Sequence, residues 1–432
     1  MKFYSTNKAA ASASFKEAVL KGQAPDGGLY FPEAIPVLPD EFYISLPNLS
    51  LPQIAHAVLF PFVKEDINEQ TLQLMVEDVF NFDIPLVKTG EAIYALELFH
   101  GPTCAFKDVG ARFMSRSLAQ FSEPNKKTTV LVATSGDTGS AVANGFLDVK
   151  DVNVVILYPA GKVSPLQEKQ FASLGKNITA IAINGTFDDC QALVKKAFAD
   201  DALNDEMVLS SANSINVARW LPQSVYYFYA VAQLMKAGNA NEIVFAVSSG
   251  NFGNLAAGLL AKKMRLPVKY FIAATNINKI VPDYLDTGNF NPQPSISTIA
   301  NAMDVGNPSN FVRITELYEH FYDAITKDVK GYSCTDEQIQ TAISKVFKNN
   351  NYVMDPHGAI GYNALQKIKA GDETGIFLET ASPAKFPESV EPVIGQKIQL
   401  PPMLEKFVDR EVVSIPMEND YEALKIYLTD KL

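Results

Sequence analysis

From residue 94 onward the chain alternates short runs rich in β-branched and aromatic residues with stretches of helical spacing. The runs fall at 129–133, 152–158, 178–183, 243–247, 268–273 and 375–378. Strands separated by helices pair side by side in the same direction, so the alternation predicts an α/β fold of mostly parallel sheets covered by helices. Residues 1–93 read differently. Leu72, Met75, Val76, Val79 and Phe80 mark one face of an amphipathic helix, and a helical N-terminal unit is expected there. A chain of 432 residues exceeds what a single core organises. The remainder, 94–432, is therefore expected to form two lobes, approximately 94–235 and 236–432. Thr335 with Gln338 forms a capping box ahead of Ile339, and a further helix is expected from near Pro222 to Gly238.

Composition excludes several classes of function. The chain is 47% hydrophobic and 20% charged, as soluble enzymes are, and its net charge of −11 opposes nucleic acid and anionic membranes as partners. No apolar run reaches membrane-spanning length and the start lacks an apolar leader, so a cytoplasmic protein is expected. Cys104, Cys190 and Cys334 form no C-x-x-C pair, and His56, His100, His320 and His357 have no ligand spacing. Neither a disulfide framework nor metal chemistry is expected.

Three segments carry chemistry. In His100-Gly101-Pro102-Thr103-Cys104-Ala105-Phe106-Lys107-Asp108, the lysine sits where a helix begins. Unpaired N–H groups there disfavour a cation and favour the free amine that attacks an aldehyde. The run at 129–133 leads into Thr134-Ser135-Gly136-Asp137-Thr138-Gly139-Ser140, and the run at 243–247 into Ser248-Ser249-Gly250-Asn251-Phe252-Gly253-Asn254. Each is a strand, a small-residue loop and a helix start, the arrangement that presents N–H groups to an anion. Such a turn is also an ordinary way to join a strand to a helix. Neither loop is a phosphate-binding G-x-x-x-x-G-K-[ST] loop or a G-x-G-x-x-G turn. Two cradles and one lysine suggest two anions, such as a cofactor phosphate and a substrate carboxylate.

These residues resemble the threonine synthase family, within the tryptophan-synthase-β-like group (fold type II) of pyridoxal 5′-phosphate enzymes. The resemblance extends to Gly28-Leu29-Tyr30-Phe31-Pro32, Asn301-Ala302-Met303-Asp304-Val305-Gly306-Asn307-Pro308-Ser309-Asn310, Asp355-Pro356-His357 and Thr380-Ala381-Ser382-Pro383-Ala384-Lys385-Phe386. It implies that 1–93 is the family's accessory domain and 94–432 its catalytic region. It implies that Lys107 holds pyridoxal phosphate as a Schiff base and that Gly250, Asn251, Phe252, Gly253 and Asn254 hold the cofactor phosphate. Thr380 then lies at the pyridine nitrogen and Asp137 near the 3′-oxygen. Ser135, Gly136 and Thr138 match the carboxylate loop, and Asn213, Ser214 and Arg219 the substrate-phosphate segment. Arg112 and Lys385 are further candidates for that pocket. One departure stands out: members commonly carry histidine where this chain has Ser382.

The resemblance implies a lyase that makes L-threonine from O-phospho-L-homoserine and water, with no nucleic-acid or membrane partner and a monomeric state. Lys107 is then both tether and base. Expelled phosphate is a candidate base for the added water. Rival readings are a serine or threonine dehydratase, a related amino-acid phospholyase, and a non-catalytic cofactor-binding relative. A nucleotide-binding Rossmann reading fails for want of its glycine turn and acidic residue.

Overall fold

Helices separate the parallel strands of the two larger sheets, as the alternation requires. The computed structural model describes residues 1–121 and 127–431. The strands of its two larger sheets are β1 (Leu86–Gly90), β2 (Ile93–Glu97), β3 (Thr128–Ala133), β4 (Val152–Pro159), β5 (Ile178–Asn184), β6 (Val208–Ser211), β7 (Ile243–Ser248), β8 (Tyr270–Thr275), β9 (Val329–Ser333), β10 (Thr374–Glu379) and β11 (Ile415–Glu418). The helices used below are α1 (Phe15–Lys21), α2 (Glu69–Val79), α3 (Lys107–Phe121), α4 (Asp137–Phe146), α5 (Pro165–Ala172), α6 (Phe187–Ala199), α7 (Ser224–Lys236), α8 (Gly253–Lys263), α9 (Asp336–Asn350), α10 (Pro356–Ile368) and α11 (Tyr421–Lys431).

The chain divides into two compact units, each assembled from distant pieces of sequence. The first comprises Met1, Phe31–Phe106 and Trp220–Leu400; the second comprises Lys2–Tyr30, Lys107–Arg219 and the stretch from Pro401. Two of the crossings fall at Phe106/Lys107 and Arg219/Trp220. The boundary expected at 93/94 falls inside β2, and that at 235/236 in the last turn of α7.

In the first unit the strand order is β9-β8-β7-β10-β2-β1, and only the β1/β2 pair is antiparallel. Val244 and Ala246 of β7, Ile272 and Ala274 of β8 and Phe377 of β10 share a core with Ile339 and Ile343 of α9 and Ile360 and Leu365 of α10. The expected capping box starts α9: Gln338 N donates to Thr335 Oγ1 at 3.4 Å and Thr335 N donates to Gln338 Oε1 at 2.9 Å. The helix read at 72–80 is α2, with Leu72, Met75, Val76 and Val79 buried.

In the second unit the five strands of the larger sheet are all parallel, in the order β11-β5-β4-β3-β6. Leu131, Leu157, Ile181 and Ile183 pack with Leu193 and Val194 of α6 and with Leu424 and Leu428 of α11. Phe15 of α1 meets Phe113 and Phe121 of α3, with ring centroids 6.4 and 6.0 Å away.

Local chemistry explains where boundaries differ from expectation. The run read at 268–273 pairs as Tyr270–Thr275 because Pro267 lacks an N–H and Val268 N is spent on a tight turn to Leu266 O. The helix read from Pro222 begins as a 3₁₀ turn, Leu221–Gln223, before α7.

Candidate active site

Both predicted anion loops lie where a parallel strand ends and a helix begins, the end of an α/β sheet where ligands bind. In the second unit Lys107 is the first residue of α3, as expected. In the first unit the preceding residue is held in place: Phe106 N donates to Thr380 O at 2.8 Å, and Tyr226 OH donates to Phe106 O at 2.6 Å. Ala105 forms a bridge with Ala381, and Ser382 N donates to Cys104 O at 3.0 Å. Cys104 is buried and holds a left-handed φ of 55°, so it serves backbone shape and packing.

The loop after β3 is tied down by its own threonine. Thr134 Oγ1 accepts Gly136 N at 3.0 Å and Gly139 N at 2.7 Å. Gly136 has φ +142°, and a Cβ there would lie 2.6 Å from the Gln167 amide, so only glycine fits. Gln167 Nε2 in turn donates to Asp137 Oδ1 at 2.8 Å. Ser135 and Thr138 are half-buried, Gly136 and Asp137 buried. Asn213 Nδ2 donates to Ala133 O at 3.0 Å, which brings Asn213 to the same strand end.

Arg219 lies against the first turns of α3. A Cβ at Gly110 would be 2.9 Å from Arg219 O and 3.1 Å from its Nε, and Arg219 Nη1 donates to Ala212 O. Arg219 is buried, as is Arg112; Asn213 and Ser214 are half-buried. This unit thus gathers Lys107, Arg112, Arg219, Asn213 and the loop at 135–138 around α3 and the end of β3.

In the first unit the loop after β7 is wrapped by the segment 301–310. A Cβ on Gly250 would lie 2.7 Å from Ala302 O and 3.0 Å from Met303 Cα. Asn310 N donates to Asn251 O at 3.1 Å, while Ser309 Oγ donates to Asn251 Oδ1 at 3.3 Å. Phe252 is held at φ +61°, a left-handed conformation that costs a bulky residue about 1–3 kcal/mol and turns the chain into α8. Among the described residues no side chain caps α8. Asn254 Oδ1 accepts Tyr227 OH at 2.6 Å, but its buried Nδ2 has no partner among the described residues. Uncapped N–H groups and an unpartnered amide donor fit a phosphate.

Thr380 is buried just beyond β10. Lys385, also buried, donates from Nζ to Thr103 O at 3.0 Å. Ser382 caps the 3₁₀ turn Pro383–Lys385, its Oγ accepting Ala384 N at 3.3 Å.

Gln167 escaped the sequence reading, and Asp304, quoted there within 301–310, was given no role. Gln167 stands three residues after Ser164 and reads there as a capping partner, and Ser164 Oγ does donate to its Oε1 at 3.0 Å. Its amide nitrogen, however, serves Asp137. Asp304 accepts Asn276 Nδ2 at 2.8 Å, Asn278 Nδ2 at 3.2 Å and Thr298 Oγ1 at 2.8 Å, clasping the segment that covers Gly250. Burial raises the Asp304 carboxyl above its ordinary value against these hydrogen bonds.

Comparison with known proteins covers the whole described chain. Residues 83–378 match the family of pyridoxal-phosphate dependent enzymes, 2–80 match the threonine synthase N terminus and 358–428 the threonine synthase C-terminal family. The threonine synthase of Haemophilus influenzae is 46% identical over 428 residues, 99% of each chain. The crystal structure of threonine synthase from Escherichia coli superposes with TM-score 0.94 at 42% identity, covering 100% of both chains. That of pyridoxal-phosphate-bound threonine synthase from Brucella melitensis gives 0.91 at 35% identity, covering 99% of each.

Proposed function

The chain belongs to the threonine synthase family of pyridoxal-phosphate-dependent lyases, and from that premise we propose that its substrate is O-phospho-L-homoserine, converted with water to L-threonine and inorganic phosphate. The C–O bond at Cγ breaks with its electron pair leaving on phosphate. One Cβ–H bond breaks, the water's OH ends on Cβ, a proton ends on Cγ, and the other water proton leaves on the phosphate.

Pyridoxal phosphate, when bound, supplies an electron sink for charge developing at Cα. The groups assigned to hold it are Lys107, Gly250, Asn251, Phe252, Gly253, Asn254 and Thr380, with Asp137 toward its 3′-oxygen. The unpartnered Asn254 amide and the uncapped start of α8 support the phosphate assignment. Lys107 Nζ would tether the cofactor, and the same amine is placed to serve as the base that takes and returns the Cα proton. Ser135, Gly136 and Thr138 orient the substrate carboxylate. Asn213, Ser214, Arg219 and Arg112 bind its phosphate, with Lys385 the further candidate. A hydroxyl rather than a carboxylate at the ring nitrogen, from Thr380, keeps that nitrogen largely unprotonated.

The observation that carries this reading is the hydrogen bond from Phe106 N to Thr380 O at 2.8 Å. It fixes the backbone that precedes Lys107 to the residue assigned to the cofactor ring. The accessory role of 1–93 is supported by the N-terminal family match as a domain of sequence, although the chain packs in discontinuous units. Among the described residues no helix is long and apolar enough to cross a membrane. We assign the protein to the cytoplasm as a monomer. The test is stoichiometric release of phosphate and threonine from O-phosphohomoserine by the purified protein. Formation of 2-oxobutanoate from threonine, without phosphate-linked turnover, would instead identify a dehydratase.

A further inference from the structure

Three carboxyl groups meet behind Thr380 in the first unit. Glu379, the last residue of β10, stands opposite Glu97, the last residue of the neighbouring parallel strand β2. Asp355 caps α10, and its backbone N–H donates to Glu379 Oε2 at 3.2 Å. Glu379 and Asp355 are fully buried. The fold makes room for this: a Cβ on Gly358, in the first turn of α10, would lie 2.1 Å from Glu379 Oε1.

The partners of the three differ. Glu97 meets His100 Nε2 at 2.7 Å and accepts Tyr352 OH at 2.8 Å. Asp355 accepts His357 N at 2.8 Å and meets His357 Nδ1 at 2.5 Å. Glu379 meets Asp355 alone, whose N–H donates to it and whose carboxyl lies beside it; no donor reaches its Oε1, and no lysine or arginine pairs with any of the three among the described residues. Asp304, the other carboxyl whose field reaches His357, is engaged by Asn276, Asn278 and Thr298. Two imidazoles therefore face three buried or half-buried carboxyls. A buried carboxylate with neither counter-charge nor a full set of donors takes up a proton instead.

We propose that Glu379 is kept as a neutral carboxylic acid whose proton is shared with Asp355, and that it is a positioning residue that acts through Thr380. Burial, the Asp355 charge, a side-chain hydrogen bond with the Asp355 carboxyl, and Glu97 push Glu379 well above the ordinary carboxyl range against the opposing effect of the Asp355 N–H. The consequence rests on the assignment of Thr380 to the pyridine nitrogen. An ionised carboxylate one residue away would draw a proton to that nitrogen and undo the choice of a hydroxyl there. Neutral Glu379 leaves the ring's electronics to Thr380. No motif in the sequence marks it, because a glutamate ending a strand reads as a solvated edge.

The first arm of the test uses the full chain without cofactor. The infrared difference spectrum between wild type and Glu379→Gln at neutral pH should show the loss of one protonated-carboxyl stretch. Loss of ionised-carboxylate bands instead overturns the proposal. Should Glu379→Gln fail to fold, wild type carrying ¹³C-labelled glutamate decides the same point: one side-chain carboxyl must stay protonated at neutral pH, and its absence overturns the proposal. The second arm uses the loaded protein. Its visible cofactor band should shift as pH is raised through the ionisation of Glu379, and Glu379→Gln should abolish that shift while changing cofactor affinity less than about threefold. A shift that persists in Glu379→Gln overturns the role through Thr380. Failure to bind cofactor at all, in wild type, sinks the cofactor assignment on which that role rests and leaves the infrared result to decide the proton alone.

Discussion

Gln167 Nε2 donates to Asp137 Oδ1 at 2.8 Å, and the same amide fills the space over Gly136 that any side chain would need. This relationship resolves an apparent conflict in the loop. A carboxylate at the first turn of α4 suits the helix dipole, yet it repels the substrate carboxylate assigned to the same N–H groups. Gln167 turns it aside. Gln167→Glu should therefore raise KM for O-phosphohomoserine, by about tenfold or more if a charge-assisted hydrogen bond of about 1.5–3 kcal/mol is lost, and should weaken cofactor binding to the extent that Asp137 serves the 3′-oxygen. Steady-state kinetics beside a cofactor titration decide it; an unchanged KM removes Gln167 from the site.

Borohydride reduction of the loaded protein followed by peptide mapping should recover the cofactor on Lys107. Lys107→Ala should retain noncovalent cofactor through the loop at 250–254 and lose turnover by on the order of 10²–10⁴-fold, because one side chain supplies both tether and base. Label on another lysine rejects the assignment.

Arg219 is buried and packed against Gly110, so Arg219→Ala removes packing as well as charge. Arg219→Lys is the cleaner variant: charge is kept and the planar fork is lost. It should weaken O-phosphohomoserine by about 1.5–3 kcal/mol, the worth of one charged hydrogen bond, and barely alter slow reactions of unphosphorylated serine or threonine. Gly110→Ala should imitate it, since the added methyl displaces Arg219 without touching its charge. Equal losses for both kinds of substrate would mean damaged packing.

Asp200 Oδ2 accepts Lys425 Nζ and Tyr421 OH, each at 2.7 Å, and these hydrogen bonds hold its pKa down to about 2. A depressed carboxyl contributes stability that is fully present above its unfolded value of 3.8 and is lost as pH falls toward 2. Asp200→Asn should lower the melting temperature at neutral pH and flatten the acid limb below pH about 4. Parallel acid limbs in the two proteins would show that the clasp contributes nothing.

The chemistry-bearing loops were legible because glycine, serine and threonine at the end of a β-rich run have few other uses: Gly136 and Gly250 each sit where a Cβ would collide. Lys107 was legible from its place at a helix start. The edge strands were not. Val329–Ser333 contains Lys330 and Gly331, and Ile415–Glu418 contains Pro416, so neither shows an apolar pattern; their pairing with β8 and β5 supplies what their residues do not announce. Nor was the unit structure legible, because the crossings at Tyr30/Phe31, Phe106/Lys107, Arg219/Trp220 and Leu400/Pro401 are not marked by glycine-rich or charged linkers. Glu379 and Gln167 depend on neighbours hundreds or tens of residues away, which spacing along one strand or helix cannot reveal.

The second unit draws on the stretch from Pro401: β11 completes its sheet edge, and Leu424 and Leu428 of α11 close its core. During translation, then, β3, β4 and β5 leave the ribosome more than two hundred residues before the side chains that cover them. The nascent chain must carry an open apolar sheet for tens of seconds at ordinary elongation rates of about 5–20 residues per second. Chaperone dependence of the newborn protein, and aggregation of fragments that stop short of Ile415, follow from the order in which this fold is delivered.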